Sequence, residues 1–470
     1  MEYGLRLMDS QNITKQPHSW GRYPKVKHSQ VQSIYWRNEL PDIAQLEETA
    51  LPFAYGRSYG DSCLNEGGIS LDVSHLRRFI SFDEKTGLLR CEAGISLAEI
   101  LEVLVPRGWF LPVSPGTKFV SVGGAIANDI HGKNHHRSGT FGCHVTCFEL
   151  LRSNGERLLC SPEHNSEMFR ATIGGLGLTG LILWAEFRMK PIVNPYIDMD
   201  HIRFASLDEF FEISAESDAD YEYTMSWVDI LIGGKNLCRG IFMRGNHNLS
   251  RQPEPVKKRL PLAVPIDFPS FMLNSLSVKA FNELYYHKQV PKRVHKIVSY
   301  DPFFYPLDSI HDWYRMYGKR GFLQYQFVIP FEEGHHAMRE ILARIRRSGE
   351  GSFLTVLKTF GDIASPGMLS FPRPGLTLAL DFAYDGQKTL RLLEDLDHIV
   401  LQSGGAVYPA KDARMSAESF QAFFPGWKEF SAYVDPKFSS SFWRRVTAAV
   451  PDSVDDHGDP ELTRIGDTIR

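Results

Sequence analysis

The sequence predicts an α+β protein of two domains, in which the first domain is built from both ends of the chain. The length of 470 residues exceeds that of one ordinary domain. Short strand and helix patterns alternate up to about residue 195. The segment after it has a different texture, in which glycines thin out over 256–317 and aromatic residues cluster over 303–327. The pair Gly404-Gly405 then returns the chain to the first domain. We therefore predict a first part at 1–195, a second domain at 196–405 and a return with an acidic tail at 406–470.

Two strands and a helix are predicted early in the first part. Apolar and polar residues alternate over 69–73 and 89–93, as they do in half-buried strands. The motif Ser96-Leu-Ala-Glu99 matches a capping box, in which the two side chains satisfy free backbone N–H groups. Apolar residues follow it at helical spacing, so we expect a helix that ends near Val105.

A hairpin and a second helix are predicted before the first part ends. Residues 145–151 and 157–159 flank an Asn-Gly turn, which is typical of a β-hairpin. Ser161-Pro162 predicts a helix start because proline is favoured at the first helical position. We expect that helix to end near Gly174.

The second domain repeats the mixture of strands and helices. Strands are predicted at 323–329 and 376–382, and a helix at 333–347. The polar, acidic segment 451–470 is expected to be poorly ordered. These patterns support an α+β rather than an all-α or all-β class.

Composition and charge exclude several classes of function. Lys and Arg number 52 against 56 Asp and Glu, so a net charge of −4 provides no basic field for nucleic acid. Six cysteines without a CxxC pair predict neither a disulfide framework nor a bound metal. Residues 1–25 lack the apolar core of a signal peptide, and no apolar run is long enough to span a membrane. We expect a cytoplasmic protein.

The motif Gly175-Leu-Gly-Leu-Thr-Gly180 matches the dinucleotide fingerprint GxGxxG in letters only. A Rossmann site needs a strand before the motif and a helix after it. Here a helix is predicted before it, and 181–189 reads as a strand. We interpret these glycines as a turn that lets the backbone approach a flat ligand closely.

Two other glycine-rich loops are the informative ones. Residues 54–61 read AYGRSYGD, and residues 115–132 read PGTKFVSVGGAIANDIHG. Glycines let successive backbone N–H groups converge on an anion. Two such loops on one domain are able to hold a pyrophosphate from both sides.

These loops, with the string NDIHGKNHH at 128–136, resemble the FAD-binding domain of the vanillyl-alcohol oxidase/p-cresol methylhydroxylase superfamily. Within it they resemble the decaprenylphosphoryl-β-D-ribose oxidase family. The resemblance covers about 17–195 and 300–435, and includes the later strings FFYPLD, GFLQYQF, LKTFG, RPG and YPAKD. It implies a two-part FAD-binding domain with an inserted α+β substrate domain. Arg57 stands where covalent members carry a flavin-linking histidine, so we expect non-covalent FAD.

The resemblance also implies site residues. Those expected to contact FAD are Gly56, Arg57, Ser58, Tyr59, Gly60, Gly116, Thr117, Val122, Gly123, Gly124, Asn128, Ile130, His131, Gly132, Ile182, Tyr408, Ala410 and Lys411. Those expected to contact the substrate are Lys133, Trp227, Tyr305, Gln324, Gln326, Lys358 and Ala379, the last standing where actinobacterial relatives carry a cysteine.

Three of these residues are expected to be catalytic: His131, Lys358 and Lys411. A fixed cation beside the flavin stabilises the negative charge of its reduced form, and we assign Lys411 to this role. Lys358 lies in an otherwise apolar strand, where a lysine needs a partner or a function. His131 is expected to flank flavin and substrate.

The function that the resemblance implies is oxidation of a secondary alcohol of a sugar. The favoured substrate is the C2 hydroxyl of a polyprenyl-phosphate-linked ribose, and the pathway is cell-wall biogenesis. A NAD(P)H-dependent short-chain reductase would then complete an epimerisation. The alternatives are a soluble alditol or aldonolactone oxidase, and a flavin-fold binding protein without turnover. The apolar, proline-broken segment 260–273 is interpreted as a lid that meets lipid tails or a bilayer surface.

Overall fold

The computed structural model of the protein describes residues 16–232, 237–250, 262–269, 274–352 and 354–449. The acidic tail predicted at 451–470 lies outside the described residues, as do both ends of the predicted lid at 260–273. Over the described ranges, no helix has the length and apolarity needed to cross a membrane.

The strands are numbered in chain order. They are β1 Gln30–Ser33, β2 Ala50–Phe53, β3 Ile69–Asp72, β4 Phe79–Asp83, β5 Leu88–Glu92, β6 Trp109–Phe110, β7 Val145–Leu151, β8 Arg157–Cys160, β9 Leu181–Arg188, β10 Lys190–Pro191, β11 Tyr196–Phe204, β12 Tyr223–Asp229, β13 Arg239–His247, β14 Leu262–Ala263, β15 Arg293–Ser299, β16 Ile310–His311, β17 Phe322–Ile329, β18 Thr355–Phe360, β19 Gly375–Ala383 and β20 Ala406–Val407.

The α-helices follow the same numbering. They are α1 Leu97–Leu104, α2 Val122–Ala127, α3 His135–Ser138, α4 Ser166–Thr172, α5 Leu207–Asp218, α6 Ser275–His287, α7 Tyr300–Phe304, α8 Phe331–Ser348, α9 Gln387–Gln402, α10 Ala417–Phe423, α11 Trp427–Ser431 and α12 Ser441–Val446.

Two larger sheets and the short antiparallel pair β6 and β10 make up the described N-terminal region. A parallel sheet has the order β1-β3-β2, and a five-stranded sheet has the order β4-β5-β9-β7-β8. The strands predicted at 69–73 and 89–93 are confirmed as β3 and β5. The capping box is also confirmed, because the Ser96 hydroxyl accepts a bond from the Glu99 N–H and the Glu99 carboxylate accepts one from the Ser96 N–H.

The helix predicted to start at Ser161-Pro162 is wrong in its start, since α4 begins at Ser166. The Ser161 hydroxyl instead accepts hydrogen bonds from the backbone N–H groups of Glu163 and His164. Asn165 then adopts a left-handed conformation with φ of 50°. A local side-chain turn therefore competes with the helix and delays it by one turn.

An eight-stranded sheet dominates the rest of the chain, with the order β15-β11-β13-β12-β18-β19-β17-β20. The predicted strands at 323–329 and 376–382 are confirmed as β17 and β19, and the predicted helix as α8. Because side chains alternate along a strand, one face of the sheet carries buried residues such as Phe327 and Leu378, which pack in the same core as side chains of α8 and α9. The opposite face carries the polar residues of the site.

The chain after β20 packs against the N-terminal region. Phe438 forms a parallel bridge with Ala50. The Arg445 guanidinium pairs with Asp61 at 2.6 Å and with Asp412 at 3.0 Å. These contacts join the C-terminal residues to the loop 54–61 and so position one wall of the site.

Candidate active site

A cavity of about 1020 Å³ lies between the N-terminal glycine loops and the polar face of the eight-stranded sheet. Pockets for single small molecules range from roughly 300 to 1,000 Å³. The cavity is therefore large enough for a cofactor and a second ligand together.

The loop 54–61 forms the first wall of the cavity. Gly56 has a φ of +60°, and a Cβ atom there would lie 2.4 Å from the His18 carbonyl oxygen, so only glycine is tolerated. The Tyr59 N–H donates to the Ala410 carbonyl at 2.9 Å, which ties this loop to the segment 408–411.

Two buried polar atoms on this side of the cavity have no hydrogen-bond partner in the described chain. They are Nε of Arg57 and Oγ of Ser62, and both residues line the cavity. Buried polar groups are normally hydrogen-bonded, so these atoms point to a polar ligand. Two glycine loops with orphaned donors fit the phosphates and hydroxyls of a dinucleotide cofactor.

The second wall is the sheet face that carries alternate residues of β17, β18 and β19. Its lining side chains include Gln324, Gln326, Lys358, Thr377 and Ala379. The register places Gln326 opposite Ala379 and Lys358 opposite Thr377. Residues distant in sequence thus form one compact polar surface.

His131 and Lys358 meet where the two walls join. The Lys358 Nζ lies 2.9 Å from Nδ1 of His131 and donates to the Gly132 carbonyl at 2.7 Å. The Gln326 side-chain amide lies 2.9 Å from Nε2 of His131. When the amide nitrogen of Gln326 donates to Nε2, neutral His131 carries its proton on Nδ1 and donates it to an unprotonated Lys358. The reversed amide fits the other tautomer, with the His131 proton on Nε2, in which Lys358 donates to Nδ1 whether it is an amine or an ammonium group. The pair can therefore take up and release a proton.

The electrostatics of this pair favour neutral groups. Burial, together with Lys358, lowers the pKa of His131 well below its ordinary value. Burial, Lys133 and Lys411 lower the pKa of Lys358 well below its ordinary value. Burial also lowers the pKa of Lys133 to about 8. An enclosed lysine with a lowered pKa is a candidate base.

Lys411 lines the same cavity, with its Nζ 3.9 Å from the ring centroid of Tyr59. Burial lowers the pKa of Lys411 to about 7, and the negative charge of Asp381 opposes this shift. Burial raises the pKa of Asp381 to about 7. Asp381 accepts hydrogen bonds from Gln324 at 2.5 Å and from the Tyr317 hydroxyl at 3.3 Å. The charges of Lys411 and Asp381 thus act on each other inside the protein.

Nearly all of the residues predicted to bind cofactor or substrate line the cavity. The exceptions are Gly60, Val122 and Tyr305. A Cβ atom on Gly60 would lie 1.7 Å from the Asp412 carbonyl, so this glycine packs against backbone. Val122 is fully buried in the core. Tyr305 is buried behind the wall, and its hydroxyl bonds to that of Ser114, which does line the cavity.

The residue that the sequence analysis missed is Asp381. The sequence offered a way to find it. Asp381 lies in the apolar strand 376–382, just as Lys358 lies in an apolar strand, and a charged residue at such a buried position needs a partner or a function. The glycine turn predicted at 175–180 lies at the cavity. Gly177 and Gly180 have positive φ values and line the cavity beside Ile182. Among the described side chains, no group of three His, Cys, Asp or Glu is arranged to hold a metal ion.

Comparison with known proteins identifies the family. The family model described as FAD binding domain matches residues 42–161. The chain is 40% identical over 406 residues to decaprenylphosphoryl-beta-D-ribose oxidase of Mycolicibacterium smegmatis. The aligned residues cover 83% of this chain and 87% of that protein. It is 31% identical over 375 residues to an uncharacterized protein of Streptomyces coelicolor. The aligned residues cover 75% of this chain and 100% of that protein.

A putative D-arabinono-1,4-lactone oxidase of Neurospora crassa is 34% identical over 137 residues, which are 29% of this chain and 24% of that protein. The long match to the first relative, together with the FAD binding domain, carries the assignment. The chain belongs to the decaprenylphosphoryl-β-D-ribose oxidase family of FAD-binding flavoproteins and is an FAD-dependent oxidoreductase that acts on CH–OH groups.

Proposed function

We propose that the protein oxidises the C2 hydroxyl of a polyprenylphosphoryl-β-D-ribose to a keto group. The observation that carries this proposal is the proton-accepting pair His131–Lys358 on a polar wall that faces the glycine loops. The M. smegmatis relative is named for a substrate of this kind. Oxidation of an alcohol needs a base for the hydroxyl proton and an acceptor for the hydrogen on carbon.

The cofactor would lie against the N-terminal wall. The loop 56–59, Gly116 with Thr117, the Gly123-Gly124 turn, Ile182 and the segment 408–411 all line the cavity and would hold it. Bound FAD supplies the acceptor for the hydrogen that leaves the alcohol carbon. Residues 1–195 and 406–470 would form the FAD-binding domain, and 196–405 the substrate domain.

The chain's own residues would perform the proton chemistry. The lone pair of unprotonated Lys358 takes the hydroxyl proton, while its two N–H groups donate to Nδ1 of His131 and to the Gly132 carbonyl and hold the amine in place. Gln326 and Lys133 orient the sugar hydroxyls through hydrogen bonds. Lys411 in its protonated form stabilises the negative charge that develops opposite the substrate.

Two further parts of the proposal concern partners. The keto sugar is a substrate for a reductase that uses NAD(P)H, so a short-chain reductase would complete an epimerisation. The described residues 262–269 expose Leu262 and Ile266, at 70% and 66% of their surface, which suits contact with lipid. Peripheral contact with a membrane at this segment would bring a lipid-linked sugar to the cavity.

The substrate assignment is tested by spectroscopy under anaerobic conditions. We expect the purified protein to show flavin absorbance that bleaches on addition of farnesylphosphoryl-β-D-ribose. Xylitol and gulonolactone serve as controls for an alditol or aldonolactone oxidase and should leave the absorbance unchanged. A colourless protein would instead favour a binding protein without turnover, and bleaching by the free sugars alone would contradict the lipid-linked substrate.

Non-covalent binding of FAD is a second prediction. The Arg57 guanidinium lies 4.0 Å from the ring centroid of Trp20 and remains protonated, so it is not a nucleophile for the flavin methyl group. We expect acid precipitation to release all the yellow colour into the supernatant. Colour that stays in the pellet would show that another residue forms a covalent bond.

Replacement of Lys411 tests its role as a fixed cation. We expect Lys411→Met to lower the rate of flavin reduction by substrate roughly a hundredfold, because the change removes the charge and keeps the apolar stem. FAD content, measured from the absorbance ratio, should stay close to that of the unmodified protein. Lys388→Met, at an exposed lysine, is the control. A Lys411 variant that keeps FAD and reduces it at the normal rate would refute the assignment.

Asp381 is expected to set the pH range in which Lys411 is charged. Lys411 carries its proton below a pKa of about 7 and loses it above, so kcat/KM should fall as the pH rises through that range. Asp381→Asn removes the anion that raises the Lys411 pKa. The alkaline limb of the kcat/KM profile should therefore move to lower pH by about one unit.

The control for this variant is Asp385→Asn, which changes an exposed carboxylate two residues after the same strand. Its pH profile should match that of the unmodified protein. A limb that stays in place or moves to higher pH in Asp381→Asn would show that the carboxylate does not act on Lys411.

A further inference from the structure

The cavity does not end at the lysine cluster but continues along the same face of the eight-stranded sheet. Beyond β18 its lining side chains come from β12, β13, β11 and β15. They are Met199, Met225, Met243, Trp227 and Val298, together with His201 and Lys296. We refer to this part of the cavity as the methionine arm.

Strand register makes the arm one continuous surface. Met243 lies directly opposite Met225 on one neighbouring strand and opposite His201 on the other. Trp227 lies opposite Val356, which lines the cavity two residues before Lys358 on the same face of β18. The arm therefore begins beside the catalytic wall and crosses four strand spacings, roughly 19 Å at about 4.8 Å each.

Helix α6 forms the opposite side of the arm. Val278, Phe281 and Tyr285 line it at helical spacing, and the Tyr285 ring lies 4.6 Å from that of Trp227. Asn282 donates a hydrogen bond to the Asp229 carboxylate and fixes the helix on the sheet. The arm thus lies between α6 and the sheet.

The chemistry of the arm suits a long, flexible apolar chain. Methionine side chains are unbranched and polarizable, so they adapt to irregular apolar ligands. Among the described residues that line the cavity, Asp308 is the one with a carboxylate. It accepts a hydrogen bond from the Lys118 N–H and does not belong to the strands of the arm. No sugar-binding pattern of paired amides and carboxylates continues into the arm.

The arm opens to solvent at its far end. Phe281 is 44% exposed, and Lys288 and Lys296, which also line the cavity, are exposed. A chain longer than the arm would leave the protein there, among apolar and basic side chains.

We propose that the methionine arm holds the first isoprene units of the substrate's lipid tail while the sugar lies against Lys358. This inference rests on the proposed function, since it requires a lipid-linked sugar. The arm then selects lipid-linked over free sugars, because burial of the tail adds binding energy that a free sugar lacks. The remainder of the tail leaves through the mouth beside Phe281.

The test compares two substrates in matched variants. kcat/KM is measured for farnesylphosphoryl-β-D-ribose and for methylphosphoryl-β-D-ribose, and their ratio reports use of the tail. In Phe281→Glu this ratio should fall about tenfold, the effect of losing contact with roughly two methylene groups. In Leu284→Glu, on the same helix but outside the cavity lining, the ratio should stay within about twofold.

A deeper pair of variants probes the middle of the arm. Met243→Glu should lower the ratio at least as much as Phe281→Glu, and Met243→Leu should keep it, because leucine is apolar and of similar volume. An unchanged ratio in Phe281→Glu would overturn the proposal. An equal fall in Phe281→Glu and Leu284→Glu would also overturn it, since it would place the tail on the outer surface.

Failure of the proposed function gives a different result. In that case the unmodified protein oxidises neither substrate. The arm is then tested by titration with farnesyl phosphate. Tryptophan fluorescence monitors binding, because Trp227 lines the arm. Binding that weakens about tenfold in Phe281→Glu but not in Leu284→Glu supports the arm. Absence of binding, or equal binding in both variants, overturns it.

Discussion

Burial of positive charge is the constraint on which the site depends. Lys133, Lys358 and Lys411 face one cavity inside the protein, where an ammonium group is poorly solvated. Each pKa is lowered, and each amine lies near specific partners: His131 for Lys358 and the Tyr59 ring for Lys411. Burial thus favours the unprotonated amine of Lys358, as its proposed role as a base requires, whereas the charge of Asp381 favours the protonated form of Lys411.

This constraint explains why distant parts of the chain must meet. His131 comes from the motif at 128–136, Lys358 from the eight-stranded sheet, and Lys411 from the segment after β20. The Tyr59 N–H bonds to Ala410, which holds the Lys411 segment against the first glycine loop. Arg445 bonds to the carboxylates at both ends of this connection and fixes it further.

One sheet face serves two kinds of chemistry because its strands change character along the sheet. Strands β17, β18 and β19 place amides, a threonine and a lysine in the cavity, whereas β11, β12 and β13 place methionines and a tryptophan there. The opposite face of β17 and β19 is mostly apolar and packs in the same core as α8 and α9. Alternation along each strand thus separates a core face from a ligand face, and the strand order places the polar part next to the apolar part.

The sequence by itself determined the local elements and the family. Strand alternation, the capping box and the glycine motifs are local signals, and the structure and comparisons agree with them. The helix start at Ser161 was wrong because a side-chain turn, equally local, competed with it. Tertiary structure decided which side chains meet. Lys358 and His131 are 227 residues apart, and Gln324 and Asp381 are 57 apart. Only strand register and burial create these contacts, because the pKa and the partner of a charged group depend on what surrounds it in space rather than on its neighbours in sequence.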